Sequence, residues 1–74
     1  MKFIYTHHAN LRIGQRELSH SQIQNTVVSP DDKITGFKGR WVARKKFGTK
    51  TLEVIYKKLN GTVVIITAYR LQEE

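Results

Sequence analysis

The chain has 74 residues, 13 lysines and arginines against six acids, and a formal net charge of +7. So short a chain makes a single domain, residues 1–74, with a small core, and without a cysteine it has neither a disulfide nor a thiolate metal site to hold it together. No apolar run approaches the ~18 residues of a membrane span, and the N-terminus lacks the apolar region and cleavage site of a signal peptide, so a soluble, cytoplasmic domain is expected.

The charge is unevenly spread. Residues 1–32 balance to zero, and residues 59–74 come to −1. Residues 33–58 hold nine cations against Glu53 alone, a balance of +8. A field concentrated in this way favours a polyanion or an acidic protein, although a merely solvated strand surface also accounts for it.

In chain order, residues 2–6 read as a short opening strand or an extended lead-in. Thr6 is placed to cap a helix that runs to about Arg16, despite Gly14 inside it. Ser19-His20-Ser21-Gln22 has capping-box spacing, so a second helix is expected from Ser19 to about Val28, with Ile23 and Val27 facing inward. Pro30 pushes Ser29 out of helical geometry, and Pro30-Asp31-Asp32 reads as a turn. The period then changes to two. Strands are expected over residues 40–47, 52–59 and 62–69, after a looser piece bracketed by Gly36 and Gly39, and the tail 71–74 is expected to fray.

Asn60-Gly61 calls for a type I′ hairpin turn. That register sets Tyr56 opposite Ile65, Ile55 opposite Ile66 and Val54 opposite Thr67. One face then carries Ile55, Leu59, Val64, Ile66 and Ala68, joined by Trp41 and Ala43 if the first hairpin has a three-residue loop. The other carries Leu52, Val54, Tyr56, Ile65, Thr67 and Tyr69, with Arg44 and Lys46. Helices on the first face would leave the second open to a ligand. The expected class is α+β: two N-terminal helices (about 6–28) on a three- to four-stranded antiparallel sheet (about 33–70).

His8, Arg12 and Arg16 recur one turn apart on the first helix, beside the inward Ala9 and Ile13. The positive end of the helix dipole and the neighbouring Arg12 both disfavour imidazolium. A neutral His8 able to accept a proton is therefore expected, as a general base requires. Arg12 and Arg16 suit a phosphate, and Tyr69, Tyr56, Arg44 or a lysine could protonate a leaving 5′-oxygen. These parts suffice for RNA cleavage without a metal, in which the 2′-hydroxyl attacks its own phosphodiester. Plain packing is the competing account: His8 in a first turn, with the arginines snorkelling over the core edge. His7, His8 and His20 are the only imidazoles, and their spacing suits no metal site, so neither metal nor cofactor is expected. Gly36-Phe37-Lys38-Gly39-Arg40 reads as a basic turn able to contact phosphates.

Tyr-Thr-x-His-Ala-x-x-Arg-x-x-x-Arg-x-Leu-Ser, then Ile23, Val27 and Pro30-Asp31, then Thr-Leu-x-Val-x-Tyr and a closing Val-Ile-x-Thr-Ala-Tyr, resembles the domains of unknown function 4258 from about Tyr5 to Tyr69. That family is similar in layout to RelE-type and colicin-type ribonuclease toxins. The resemblance implies the fold and a candidate set of His8, Arg12, Arg16, Arg44, Thr67 and Tyr69. The resulting expectation is a metal-independent endoribonuclease of toxin type with His8, Arg12, Arg16 and Tyr69 at its centre. RNA would lie on Arg40, Arg44, Lys46, Tyr56 and Thr67, and an acidic antitoxin-like protein would be a partner. A nucleic-acid-binding module without chemistry, or a protein-interaction domain, fits the same residues.

Overall fold

The computed structural model describes residues 1–71. Strand β1 (Lys2–Tyr5) leads into helix α1 (His7–Gln15), then α2 (His20–Val28), β2 (Asp32–Thr35), β3 (Trp41–Phe47), β4 (Lys50–Leu59) and β5 (Thr62–Leu71). The five strands form one sheet in the order β1-β5-β4-β3-β2, with β1 parallel to β5 and every other pair antiparallel. This corrects the expected three- to four-stranded antiparallel sheet, while the class remains α+β. The opening residues pair with the last strand, and a parallel partner distant in sequence leaves no turn signal. β2 is short and exposed along its whole length. The expected fraying at 71–74 bears on residues 72–74, which lie outside those described; Leu71 ends β5. Among the described residues no helix is long and apolar enough to cross a membrane.

Local chemistry sets the helix limits. The Thr6 hydroxyl accepts from the Ala9 amide at 3.0 Å, and the Ser19 hydroxyl from the Gln22 amide at 3.2 Å, each satisfying an orphan donor of a first turn. α1 ends where Glu17 turns left-handed (φ 53). The Leu18 and Glu17 amides then donate to Ile13 and Gly14, the paired bonds of a Schellman cap.

Both helices pack on one side of the sheet, α1 against β5 and β1, α2 against β4 and β3. Ala9, Ile13, Leu18, Ile23 and Val27 meet Ala43, Leu52, Val54, Tyr56, Val63, Ile65 and Ala68, with Phe3, Tyr5, Trp41 and Phe47 at the margin. Trp41, Ala43 and Ala68 face the helices as expected, whereas on β4 and the first half of β5 the packing face is the opposite of the one expected, with Leu52, Val54, Tyr56 and Ile65 inward. Asn60 (φ 47) and Gly61 (φ 78) do make the two-residue turn, and Tyr56 does stand opposite Ile65. The register then slips by one: Ile55 pairs with Thr67 and Val54 with Ala68, leaving Ile66 as a bulge. The first hairpin also turns in two residues, with Phe47 opposite Lys50 and Trp41 opposite Tyr56. Leu52, Val54 and Tyr56 therefore face the helices together with Trp41 and Ala43.

Tyr56 is thus a core residue, 0% exposed, and cannot lie on a ligand-binding surface. Its hydroxyl is buried without a hydrogen-bond partner, which costs free energy that a plain ring would not. Burial pushes its phenol above the usual 10.0, with the charge of Lys58 pulling it more weakly the other way. The unfolded chain ionises first, so this contribution to stability is whole below about pH 10 and is lost as pH rises through the folded value. We expect Tyr56→Phe to melt at or above the wild-type temperature at pH 7, and to keep more of that stability at about pH 10.5. Circular-dichroism melts at the two pH values check both statements.

Candidate functional site

On the side of the sheet away from the helices, alternation and register line up three side chains from adjacent strands: Arg44 on β3, Glu53 on β4 and Tyr69 on β5. Glu53 is only 4% exposed. Its Oε1 accepts from Arg44 Nε at 2.5 Å, and its Oε2 accepts from the Tyr69 hydroxyl. A buried carboxylate needs such partners, since an unpaired one costs several kcal/mol in a low-dielectric site (about 3–5 when one partner of a buried pair is lost). The hydrogen bond to Glu53, then the carboxylate's charge, raise the Arg44 guanidinium further above its ordinary range, so it is a fixed cation. Asp32 on β2 adds a looser ion pair at 3.9 Å.

The row ends at an edge. β1 covers β5 only as far as Ile65, and the Thr6 amide donates to the Ile65 carbonyl at 3.2 Å as the chain enters α1. Arg16, at the other end of that helix, donates to the Ala68 carbonyl at 2.9 Å and brings its guanidinium carbon 5.9 Å from the centre of the Tyr69 ring. α1 therefore runs alongside the uncovered part of β5. Arg70 donates to the carbonyls of Arg16 and Glu17 at 2.9 and 3.1 Å, placing a cation at the helix C-terminus, where the dipole favours one. Arg16, Lys50, Tyr69 and Arg70 line a hollow of about 330 Å³. Three cations thus surround a tyrosine whose hydroxyl is oriented by a buried carboxylate.

The candidate residues are distributed as follows. Arg16 and Tyr69 come together in the hollow, and Arg44 joins them through Glu53. His8 is exposed in the first turn of α1; eight residues of helix separate it from Arg16 by ~12 Å, and it does not line the hollow. Arg12 lies between them, half-buried, donating to Gln15 at 3.3 Å. Lys46 stands on the Arg44 side of the sheet, with its amide bonded to Asp31 at 2.8 Å. Thr67 is half-buried opposite Ile55, and Arg40 is exposed in the loop after β2. Among the described residues His8 and Tyr56 do not share a recess with the basic strand residues, because His8 is exposed on α1, Tyr56 is buried beneath the helices, and Arg44 and Lys46 lie on the other face of the sheet.

Sequence reasoning missed Glu53, Lys50 and Arg70. Glu53 carried one usable signal, as the single acid within the stretch of nine cations. Lys50 and Arg70 carried none, since their convergence on Arg16 is made by the strand ends. Among the described residues no group of three or more His, Asp or Glu is placed to hold a metal ion.

Residues 5–70 match the family model described as a domain of unknown function (DUF4258). No curated protein and no solved structure matches the chain.

Arg44→Leu strands the Glu53 charge and should lower the thermal midpoint clearly more than Lys46→Leu does. Arg44→Leu combined with Glu53→Leu removes the stranded charge and should recover part of that loss. Melting of the four proteins is the check, and a double variant less stable than Arg44→Leu would show that the pair is not what holds the row.

Proposed function

The chain belongs to the DUF4258 family, and from the geometry of its own site we propose that it is a metal-independent endoribonuclease. The single observation that carries this reading is the hollow in which Arg16, Lys50 and Arg70 surround Tyr69 while Glu53 holds the tyrosine hydroxyl. Three cations at one spot suit a phosphodiester and the extra charge that gathers on it at the transition state. A tyrosine hydrogen-bonded to a carboxylate can pass a proton in either direction. The layout resemblance to RelE-type and colicin-type ribonucleases is not needed for the reading, and neither is His8.

The step is a transesterification. The 2′-hydroxyl gives its proton to the Tyr69 oxygen as the phenolic proton moves to Glu53. The 2′-oxygen bonds to phosphorus, the bond to the 5′-oxygen breaks, and the Lys50 ammonium protonates that leaving oxygen. The products are a 2′,3′-cyclic phosphate and a 5′-hydroxyl, and no further reactant is consumed. Arg44 holds Glu53 in place, as a positioning residue. An acidic protein of the antitoxin kind would inhibit by laying carboxylates across the same cations.

The runner-up is a binding module without chemistry, favoured by the +8 balance of residues 33–58. Purified protein incubated with single-stranded RNA in EDTA separates the two. Cleavage to cyclic-phosphate ends is expected, reduced about 10²-fold or more in Tyr69→Phe and Glu53→Gln and by less than about threefold in His8→Ala. RNA that is bound but stays intact would leave the binding module standing. A loss in His8→Ala as large as in Tyr69→Phe would return the base to α1.

A further inference from the structure

The face that carries Arg44 and Glu53 has a second hollow, of about 320 Å³, lined by Gly36, Lys38, Arg40, Val42 and Ile55. The loop above it is tightly constructed. The Gly36 amide donates to the Arg40 carbonyl at 2.6 Å, and the chain reverses through two left-handed residues, Lys38 (φ 59) and Gly39 (φ 73). A Cβ on Gly36 would meet the Arg40 carbonyl oxygen at 3.1 Å and Val42 Cγ2 at 3.4 Å. A larger residue there would press on both the loop closure and the hollow's floor. That floor is apolar, made by Val42 and Ile55 opposite one another on β3 and β4, and Thr67 continues their row on β5. Lys38 and Arg40 stand at the rim.

A flat apolar floor beneath a cationic rim is complementary to one class of ligand, a ring carrying an attached anion. Its place in the sheet points the same way. Val42 and Ile55 lie one same-face step, about 7 Å, from Arg44 and Glu53. Two strand spacings and one such step put Val42 roughly 12 Å from Tyr69, a distance that about two extended nucleotides cover.

Resting on the ribonuclease reading for the identity of the polymer, we infer that the hollow beneath loop 36–40 is a nucleobase subsite. It receives the base of a nucleotide near the scissile one, with that nucleotide's phosphate on Lys38 and Arg40. A base can enter only if it is neither paired nor stacked within a helix. The substrate class is therefore single-stranded RNA, and double-stranded RNA is excluded by shape rather than by charge.

Fluorescence anisotropy on the intact domain tests this with three labelled probes of equal length: a 2′-O-methyl oligoadenylate that cannot be cleaved, its duplex, and an abasic ribose-phosphate strand. The base-bearing single strand should bind about tenfold more tightly than either of the others. In Val42→Thr/Ile55→Thr, which keeps charge and strand propensity but removes the apolar floor, the advantage should fall below about twofold. Equal binding of the abasic strand, or an advantage that survives in the double variant, overturns the subsite. Base-dependent binding that is lost in the double variant, in a wild-type protein that leaves unmodified RNA intact, upholds the subsite and refutes the ribonuclease reading instead. Failure to bind any of the three overturns both.

Discussion

One residue inserted into a strand ladder determines where the chemistry of this domain sits. The turn at Asn60-Gly61 would, if continued without interruption, set Glu53 opposite Ala68 and Tyr69 opposite Leu52. The bulge at Ile66 advances β5 by one, so Tyr69 faces Glu53 and Ala68 faces Val54. Because side chains alternate with a period of two, the same shift exchanges the faces of everything beyond it. Ala68 enters the core beneath α1, and Tyr69 leaves the helix side to lie beside Arg44 and Glu53. Bulges commonly re-aim a side chain at an edge or beside a site, and this one does so where β1 stops and β5 becomes uncovered.

That arrangement makes the electrostatics of the row intelligible. Glu53 is a buried anion in the most cationic third of the chain, and its two oxygens are taken by one cation and one phenol. Such a pair is weak evidence for stability, but it fixes the geometry of the buried member, since Glu53 without Arg44 would be left in an unfavourable environment. Arg16 reaches the same tyrosine from the other layer, because α1 runs along the uncovered edge and ends level with Ala68. Helix layer and sheet layer therefore meet through Arg16 and Tyr69 at this edge, which is also where the 330 Å³ hollow lies.

The two sides of the sheet divide the work. On the helix side, Tyr56, Val54, Ile65 and Ala68 close against Ala9, Ile13, Ile23 and Val27. Among the described residues no α-helix covers the opposite side, which carries the Val42–Ile55–Thr67 row beside the Arg44–Glu53–Tyr69 row. An apolar strip flanked by a charged one suits a ligand that is itself part ring and part phosphate.

What the sequence determined by itself was encoded within a few neighbouring residues. Thr6 and Ser19 announced two helices because a hydroxyl before a first turn satisfies an orphan amide locally. Asn60-Gly61 announced a two-residue hairpin because asparagine followed by glycine accepts left-handed geometry twice in succession at little cost. Arg16 and Tyr69 stood out by type and spacing. The tertiary structure alone decided the rest. Val63-Val64-Ile65-Ile66 is apolar throughout and has no alternation, so nothing in it marks a bulge or tells which face is inward. β1 pairs in parallel with residues sixty positions later in the chain, and β2 is an exposed edge; neither leaves a periodic signal. Glu53 looked like an isolated acid because its partners, Arg44 and Tyr69, are nine and sixteen residues further off. Proximity of that kind is produced by the register of a folded sheet, and a linear reading has no access to it.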